Sequence, residues 1–186
     1  MERNTILEIA IIGSTYVGKT CLARKIGCME PTLKYRSTIG FDLLTHTFYP
    51  SRVKLRIWDL SGLKRFQTIV DSYVVKCSVI IFVYSAVDEE SYDNMLKLYD
   101  RYKRGKLLKG KFVVIAVTKV DNYRSEEYWV GRVFAGSIFA PFVTVSSVYG
   151  TGIKKLQEIL CDYAKPQTFI EDDKINEVRQ SCCAIL

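Results

Sequence analysis

The segment Gly13-Ser14-Thr15-Tyr16-Val17-Gly18-Lys19-Thr20 matches the pattern G-x-x-x-x-G-K-[ST]. Its glycines let the backbone wrap a phosphate chain with the N–H groups turned inward. Lys19 sets a cation against the β- and γ-phosphates, and the Thr20 hydroxyl is a ligand for Mg²⁺. A short β-rich apolar run precedes the motif and a helical pattern follows, which is the context such a loop requires. Alone, it specifies a nucleoside triphosphate and not the base.

Other chemistry is sparse. The chain has six Cys and one His, and Cys21 and Cys28 have no second close pair, so zinc binding is not expected. Cys77 and Cys161 fall in apolar patterns and read as reduced core thiols. The net charge of +7 is concentrated in residues 97–111, where seven Lys and Arg face a single acid, Asp100. That segment reads as a solvated helix end and loop, because no aromatic stacking set accompanies it for nucleic acid. Apolar residues make up 48% and charged residues 25%, which excludes a disordered or collagen-like chain. No apolar run approaches the roughly 18 residues of a membrane span, and the first residues do not read as a secretory signal.

Strand patterns are expected over 5–12, 41–49, 52–59, 77–84, 111–117 and 139–145. Helical patterns are expected over 19–27, 64–75, 89–104, 125–135 and 153–164. Pro50-Ser51 joins the second and third strands as an antiparallel hairpin. Alternation elsewhere predicts an α/β fold: six strands, mostly parallel with one antiparallel, and helices on both faces. Ligands bind such folds at the carboxyl ends of strands.

Further segments follow in order: Arg36-Ser37-Thr38-Ile39-Gly40-Phe41-Asp42, Lys54-Leu55-Arg56-Ile57-Trp58-Asp59-Leu60-Ser61-Gly62, Arg65-Phe66-Gln67-Thr68-Ile69-Val70 and Phe82-Val83-Tyr84. With the phosphate loop, they resemble the Rab branch of the Ras-like small GTPases across nearly the whole chain. The resemblance implies a P-loop G domain over 1–165 and a flexible prenylated tail over 166–186. It implies GTP or GDP with Mg²⁺, the phosphates held by Ser14, Thr15, Tyr16, Val17, Gly18, Lys19, Thr20 and Cys21. Thr38 then binds Mg²⁺ and γ-phosphate only in the GTP state, Asp59 holds Mg²⁺ through water, and the Gly62 N–H touches the γ-phosphate. Losing that phosphate releases both switch segments. Thr118, Lys119 and Asp121, with Ser146, Ser147 and Val148, face the base. Asp121 selects guanine by accepting from a donor pair that adenine lacks. Effectors read Leu43, Trp58 and Tyr73; Trp58 reads equally as a surface hot spot and as hairpin packing.

The sequence departs from that pattern in several places. Leu63 stands where the family carries the glutamine that orients the attacking water, so hydrolysis is expected to be slower even with Lys19 and Gly62 in place. An ordinary activating protein should then have little effect, unless it supplies its own glutamine. Thr118 replaces an asparagine, as it does in Rac-like members. Pro31 falls where an aromatic stacks on guanine, with Tyr35 or Met29 as possible substitutes. Val148 and Ser147 replace a lysine and an alanine. Thr15 replaces the glycine of Ras-like members, though Rab-like ones often carry a side chain there.

The chain ends in Cys182-Cys183-Ala184-Ile185-Leu186, a C-a-a-X box whose final Leu favours geranylgeranyl. One lipid anchors only marginally without a second signal, and this tail holds more acids than bases. Two prenyl groups, on Cys182 and Cys183, are therefore expected; prenyl plus palmitoyl is the alternative. The resemblance implies a monomeric Rab-like switch in vesicle traffic, lipid-anchored at the cytoplasmic face of endomembranes with a cytosolic pool. Its partners are effectors, an exchange factor, an activating protein, prenyltransferase and escort or GDP-dissociation-inhibitor proteins, with no specific nucleic acid. A non-cycling, GTP-bound scaffold and a Rac- or Ras-like signalling GTPase remain as alternatives.

Overall fold

The computed structural model describes residues 5–31, 37–49, 51–122 and 129–165. Six strands form one sheet: β1 (Thr5–Gly13), β2 (Phe41–Phe48), β3 (Val53–Leu60), β4 (Val79–Ser85), β5 (Phe112–Thr118) and β6 (Phe142–Val145). Their order is β2-β3-β1-β4-β5-β6, with only β2 antiparallel. The helices are α1 (Lys19–Ile26), α2 (Gln67–Lys76), α3 (Glu89–Arg104), α4 (Trp129–Ser137) and α5 (Ile153–Ala164).

The central strands are apolar on both faces because helices cover both. From β4, Val79, Ile81 and Val83 pack beneath α1 and α5, against Leu22, Ile26, Leu156 and Leu160. Ile80, Phe82 and Tyr84 point the other way, into a core with Val70, Val74, Met95 and Tyr102 of α2 and α3. Burying each such side chain contributes roughly 1.5–3 kcal/mol. Helix α3 is set by its ends: Asp88 caps it through the Ser91 N–H at 3.2 Å, acids occupy its first turn and bases its last.

Most expected bounds shift by a residue or more, and three of the shifts have a structural cause. The helix expected over 64–75 is a 3₁₀ turn, Lys64–Phe66, followed by α2. Cys77 is not in a strand but closes α2, its N–H donating to Tyr73 O at 3.1 Å. Phe139 is also outside β6: α4 continues to Ser137, a turn follows, and Pro141 precedes the strand. The expected start of α4 at 125–128 lies outside the described residues.

Candidate nucleotide site

The phosphate loop leaves the sheet at Gly13, where a Cβ would stand 2.2 Å from the Val83 carbonyl oxygen of β4. Gly18, at φ 89°, turns the loop into α1. Val17 is fully buried and Tyr16 is exposed, so the loop is anchored on one side and open on the other. Lys19 is buried, and its Nζ donates to Ser14 O at 2.6 Å. Burial lowers its pKa to about 8, and the nearby Asp59 carboxylate opposes that shift.

Three residues far apart in sequence converge beside this loop. Thr20 Oγ1 donates to Asp59 Oδ2 at 2.6 Å, Thr38 Oγ1 donates to the same oxygen at 3.2 Å, and the two hydroxyls are 3.3 Å apart. Asp59 is completely buried at the end of β3, and its Oδ1 has no hydrogen-bond partner. Burial raises the Asp59 pKa, opposed by Thr20, Lys19 and Thr38, while Asp42 across the hairpin adds to the rise. A buried carboxylate with an orphaned oxygen beside two hydroxyls is a hard, oxygen-only donor set. It fits Mg²⁺.

Gly62 lies against the loop: a Cβ on it would stand 2.5 Å from Thr15 N. Any side chain would push this segment off the loop. Leu63 follows, its N–H donating to Ser61 Oγ at 3.3 Å. Ser14, Gly62, Leu63 and Gln67 share a cleft of about 690 Å³ with Lys97 and Arg101 of α3. The Gln67 amide is turned away from the loop toward α2 and α3. Its Nε2 donates to Asp71 Oδ1 at 2.8 Å and to Tyr102 Oη at 3.0 Å.

On the base side, Thr118 is buried and its Oγ1 reaches the Val17 carbonyl of the phosphate loop and, at 3.0 Å, the Tyr84 carbonyl. Lys119 adopts φ 60°, and Asp121 is exposed in the short 3₁₀ turn that follows. Ser146 is buried below them, its Oγ accepting from the Tyr149 N–H at 3.2 Å. Ser147 is half-buried and Val148 exposed. Cys21 is half-buried on the first turn of α1. Met29 sits in the turn closing α1, at the opposite end from the phosphate loop, and Pro31 is half-buried. Tyr35, Cys182 and Cys183 lie outside the described residues.

Trp58 is half-buried and packs the hairpin, with part of its ring left at the surface. Its Nε1 donates to Glu8 Oε2 at 2.7 Å, while its ring meets Tyr73 at 4.5 Å and Phe41 at 5.7 Å between centroids. Leu43 is its cross-strand partner and is 36% exposed. Phe41, 42% exposed and 4.3 Å from Tyr73, is the aromatic that sequence reasoning missed. The signal was present, since Phe41 and Leu43 share one face of β2 by alternation.

A phosphate loop, two threonines converging on a strand-end aspartate and a glycine seated on the loop define a P-loop nucleotide site. Residues 8–165 match the Ras family. The GTP-binding protein ypt1 of Schizosaccharomyces pombe is 34% identical over 161 residues, covering 83% of this chain and 77% of the relative. The Ras-related protein RIC1 of Oryza sativa subsp. japonica is 33% identical over 162 residues, 83% of this chain and 78% of the relative. The Ras-related protein RABD2a of Arabidopsis thaliana is 32% identical, with 83% and 77% covered. The chain belongs to the Ras family of small GTPases as a divergent Rab-like member.

Proposed function

We propose that this chain is a Rab-type guanine-nucleotide switch in vesicle-mediated membrane traffic, and that it hydrolyses GTP slowly. The observation that carries the proposal is the meeting of Thr20 and Thr38 on Asp59 Oδ2. Thr38 reaches Asp59 from outside the phosphate loop and β3, so its hydroxyl is suited to report what occupies the site. Thr20, Thr38 and Asp59 are the residues that would hold Mg²⁺, which when bound supplies charge neutralisation between the phosphates. Lys19 holds the β- and γ-phosphate oxygens, and the Gly62 N–H holds the γ-phosphate. Release of that phosphate frees both segments, which alters the Phe41–Trp58–Tyr73 surface offered to effectors. Asp121 selects guanine, with the Lys119 stem along the base.

The Leu63 side chain neither donates nor accepts, so the attacking water lacks a positioning group and turnover falls. The second reading, a GTP-loaded scaffold that recruits effectors without cycling, is favoured by Leu63 together with the engaged Gln67 amide. Membrane attachment is assigned to two prenyl groups on Cys182 and Cys183, which two isoprenoid additions in intact mass from eukaryotic cells would test.

The deciding experiment is purification without added nucleotide, followed by chromatographic identification of what is bound. GDP supports a cycling switch. GTP supports the scaffold. An empty site counts against the guanine-nucleotide reading, and single-turnover phosphate release then measures what turnover remains.

A further inference from the structure

We propose that the end of the domain opposite the phosphate loop is a docking face for an anionic phospholipid bilayer. Lys106 and Lys109 are its cationic contacts and Phe139 its apolar one. This extends the membrane reading above to the folded domain and does not depend on lipids in the tail.

The fold first sorts the basic segment. Arg101 pairs with Asp71 of α2, and Lys111 donates to the carbonyls of Val75, at 2.8 Å, and Cys77. Lys97 lines the cleft beside Leu63, and Lys103 lies over the Tyr99 ring at 5.8 Å. Those cations serve the fold or complement the carboxyl end of α3. Lys106 and Lys109 lie past that helix. Both are exposed, and neither makes a side-chain hydrogen bond or ion pair among the described residues.

Topology then supplies the aromatic that the sequence around residues 97–111 lacks. Strands β5 and β6 are parallel neighbours, so the segments entering them lie at one end of the sheet. Register sets Phe142 beside Ile115, whose N–H donates to Pro141 O at 2.9 Å. The turn over 138–141 and the loop carrying Lys106 and Lys109 therefore both lie at the end of the sheet where β5 and β6 begin. Phe139 in that turn is 97% exposed.

The two neighbouring helix ends are built alike. After α3, Lys106 N donates to Lys103 O at 3.0 Å and Leu107 N to Tyr102 O at 2.9 Å. After α4, Phe139 N donates to Gly136 O at 3.1 Å and Ala140 N to Ala135 O at 2.9 Å. This hydrogen-bond pair ordinarily places glycine in the left-handed position. Here those positions hold Lys106 at φ 57° and Phe139 at φ 55°. In both turns the left-handed residue holds its side chain in solvent.

A cation pair and a protruding aromatic at one end of the sheet suit an interface of anionic headgroups and acyl chains. Base stacking in nucleic acid would need a series of aromatics. The chain's own exit agrees. Helix α5 returns from the nucleotide end and closes at Lys165 on this same face, and residues 166–186 follow from there.

The test uses the full, unlipidated chain loaded with GDP and sedimented with vesicles. Phosphatidylcholine vesicles containing about one third phosphatidylserine should bind it, and phosphatidylcholine alone should not. Lys106→Ala with Lys109→Ala should weaken binding about 25-fold, at roughly five-fold per base. Phe139→Gly should weaken it roughly tenfold or more while leaving the melting temperature equal or higher, because glycine prefers that backbone position. Equal binding to both vesicles, or parental binding by both variants, overturns the proposal. So does equal binding to duplex DNA that Phe139→Gly leaves unchanged, which would mean non-specific attraction to polyanions. Nucleotide retained without vesicle binding sinks this face alone; an inability to load GDP counts against the switch reading instead.

Discussion

The Thr118 hydroxyl donates to the carbonyl oxygen of Val17, joining the end of β5 to the middle of the phosphate loop across 101 residues of sequence. A second carbonyl, that of Tyr84, lies 3.0 Å from the same oxygen. One hydroxyl hydrogen serves one acceptor at a time, so Thr118 is occupied with holding the loop. A hydrogen committed to either carbonyl is not available to donate to a base.

Thr118→Asn should supply a donor to the base, because an amide has two N–H donors and one acceptor. One added hydrogen bond of about 0.5–1.5 kcal/mol corresponds to a roughly two- to ten-fold slower dissociation of a fluorescent GDP analogue. Thr118→Val removes the brace and should lower stability by about 1–3 kcal/mol in denaturant melts, leaving a buried carbonyl unpaired. If Thr118→Val were neutral in both assays, the brace would be incidental.

Leu63→Gln should speed single-turnover GTP hydrolysis by about tenfold, the worth of one positioning hydrogen bond near 1.4 kcal/mol. Gln67→Ala should leave hydrolysis unchanged, since the Gln67 amide is spent on Asp71 and Tyr102. It should instead loosen α2 from α3 and lower the melting temperature. A fall in hydrolysis with Gln67→Ala would mean that this side chain swings into the site.

Trp58 and Trp129 are the only tryptophans in the chain. Trp58 stands between β2 and α2, touching Phe41 and Tyr73, whereas Trp129 opens α4 in an exposed position. Exchange of GDP for a non-hydrolysable GTP analogue should therefore change tryptophan emission. The change should survive Trp129→Phe and vanish with Trp58→Phe. A signal that follows Trp129 would place the moving surface elsewhere.

Much of this was legible in the sequence, for identifiable reasons. Element types followed from strand runs apolar on both faces and from period-3.6 spacing in α3 and α5, whose bounds match those expected. Ends determined by turn chemistry were not legible. Phe139 carries a strand-forming side chain, yet it takes a left-handed turn conformation because α4 closes through hydrogen bonds from the residues after it. The phosphate loop could be read because its chemistry is contiguous. The convergence of Thr20 and Thr38 on Asp59 came only through a family resemblance, since spacing alone does not bring those positions together. Phe41 was half legible: alternation puts it on the Leu43 face of β2, but its contacts with Trp58 of β3 and Tyr73 of α2 are long-range and no local pattern gives them.

Cys77 makes a pH prediction. Its thiol is 1% exposed, and burial pushes its pKa from 9.0 up to about 12, with Glu8 adding to the rise and Lys111 opposing it. In the unfolded chain the thiol ionises near its ordinary value, so above that pH the unfolded state has lost a proton that the folded state keeps. Stability contributed by the neutral buried thiol is therefore complete below about pH 9 and declines between there and pH 12. Melting temperatures measured from pH 8 to 11 should fall for the parent and fall less steeply for Cys77→Ala. In the native state at pH 8, a thiol reagent should label the exposed Cys28 and spare Cys77, because the reactive thiolate is suppressed at the buried site. Equal labelling of the two, or identical slopes in parent and variant, would show that Cys77 opens to solvent far more readily than its packing implies.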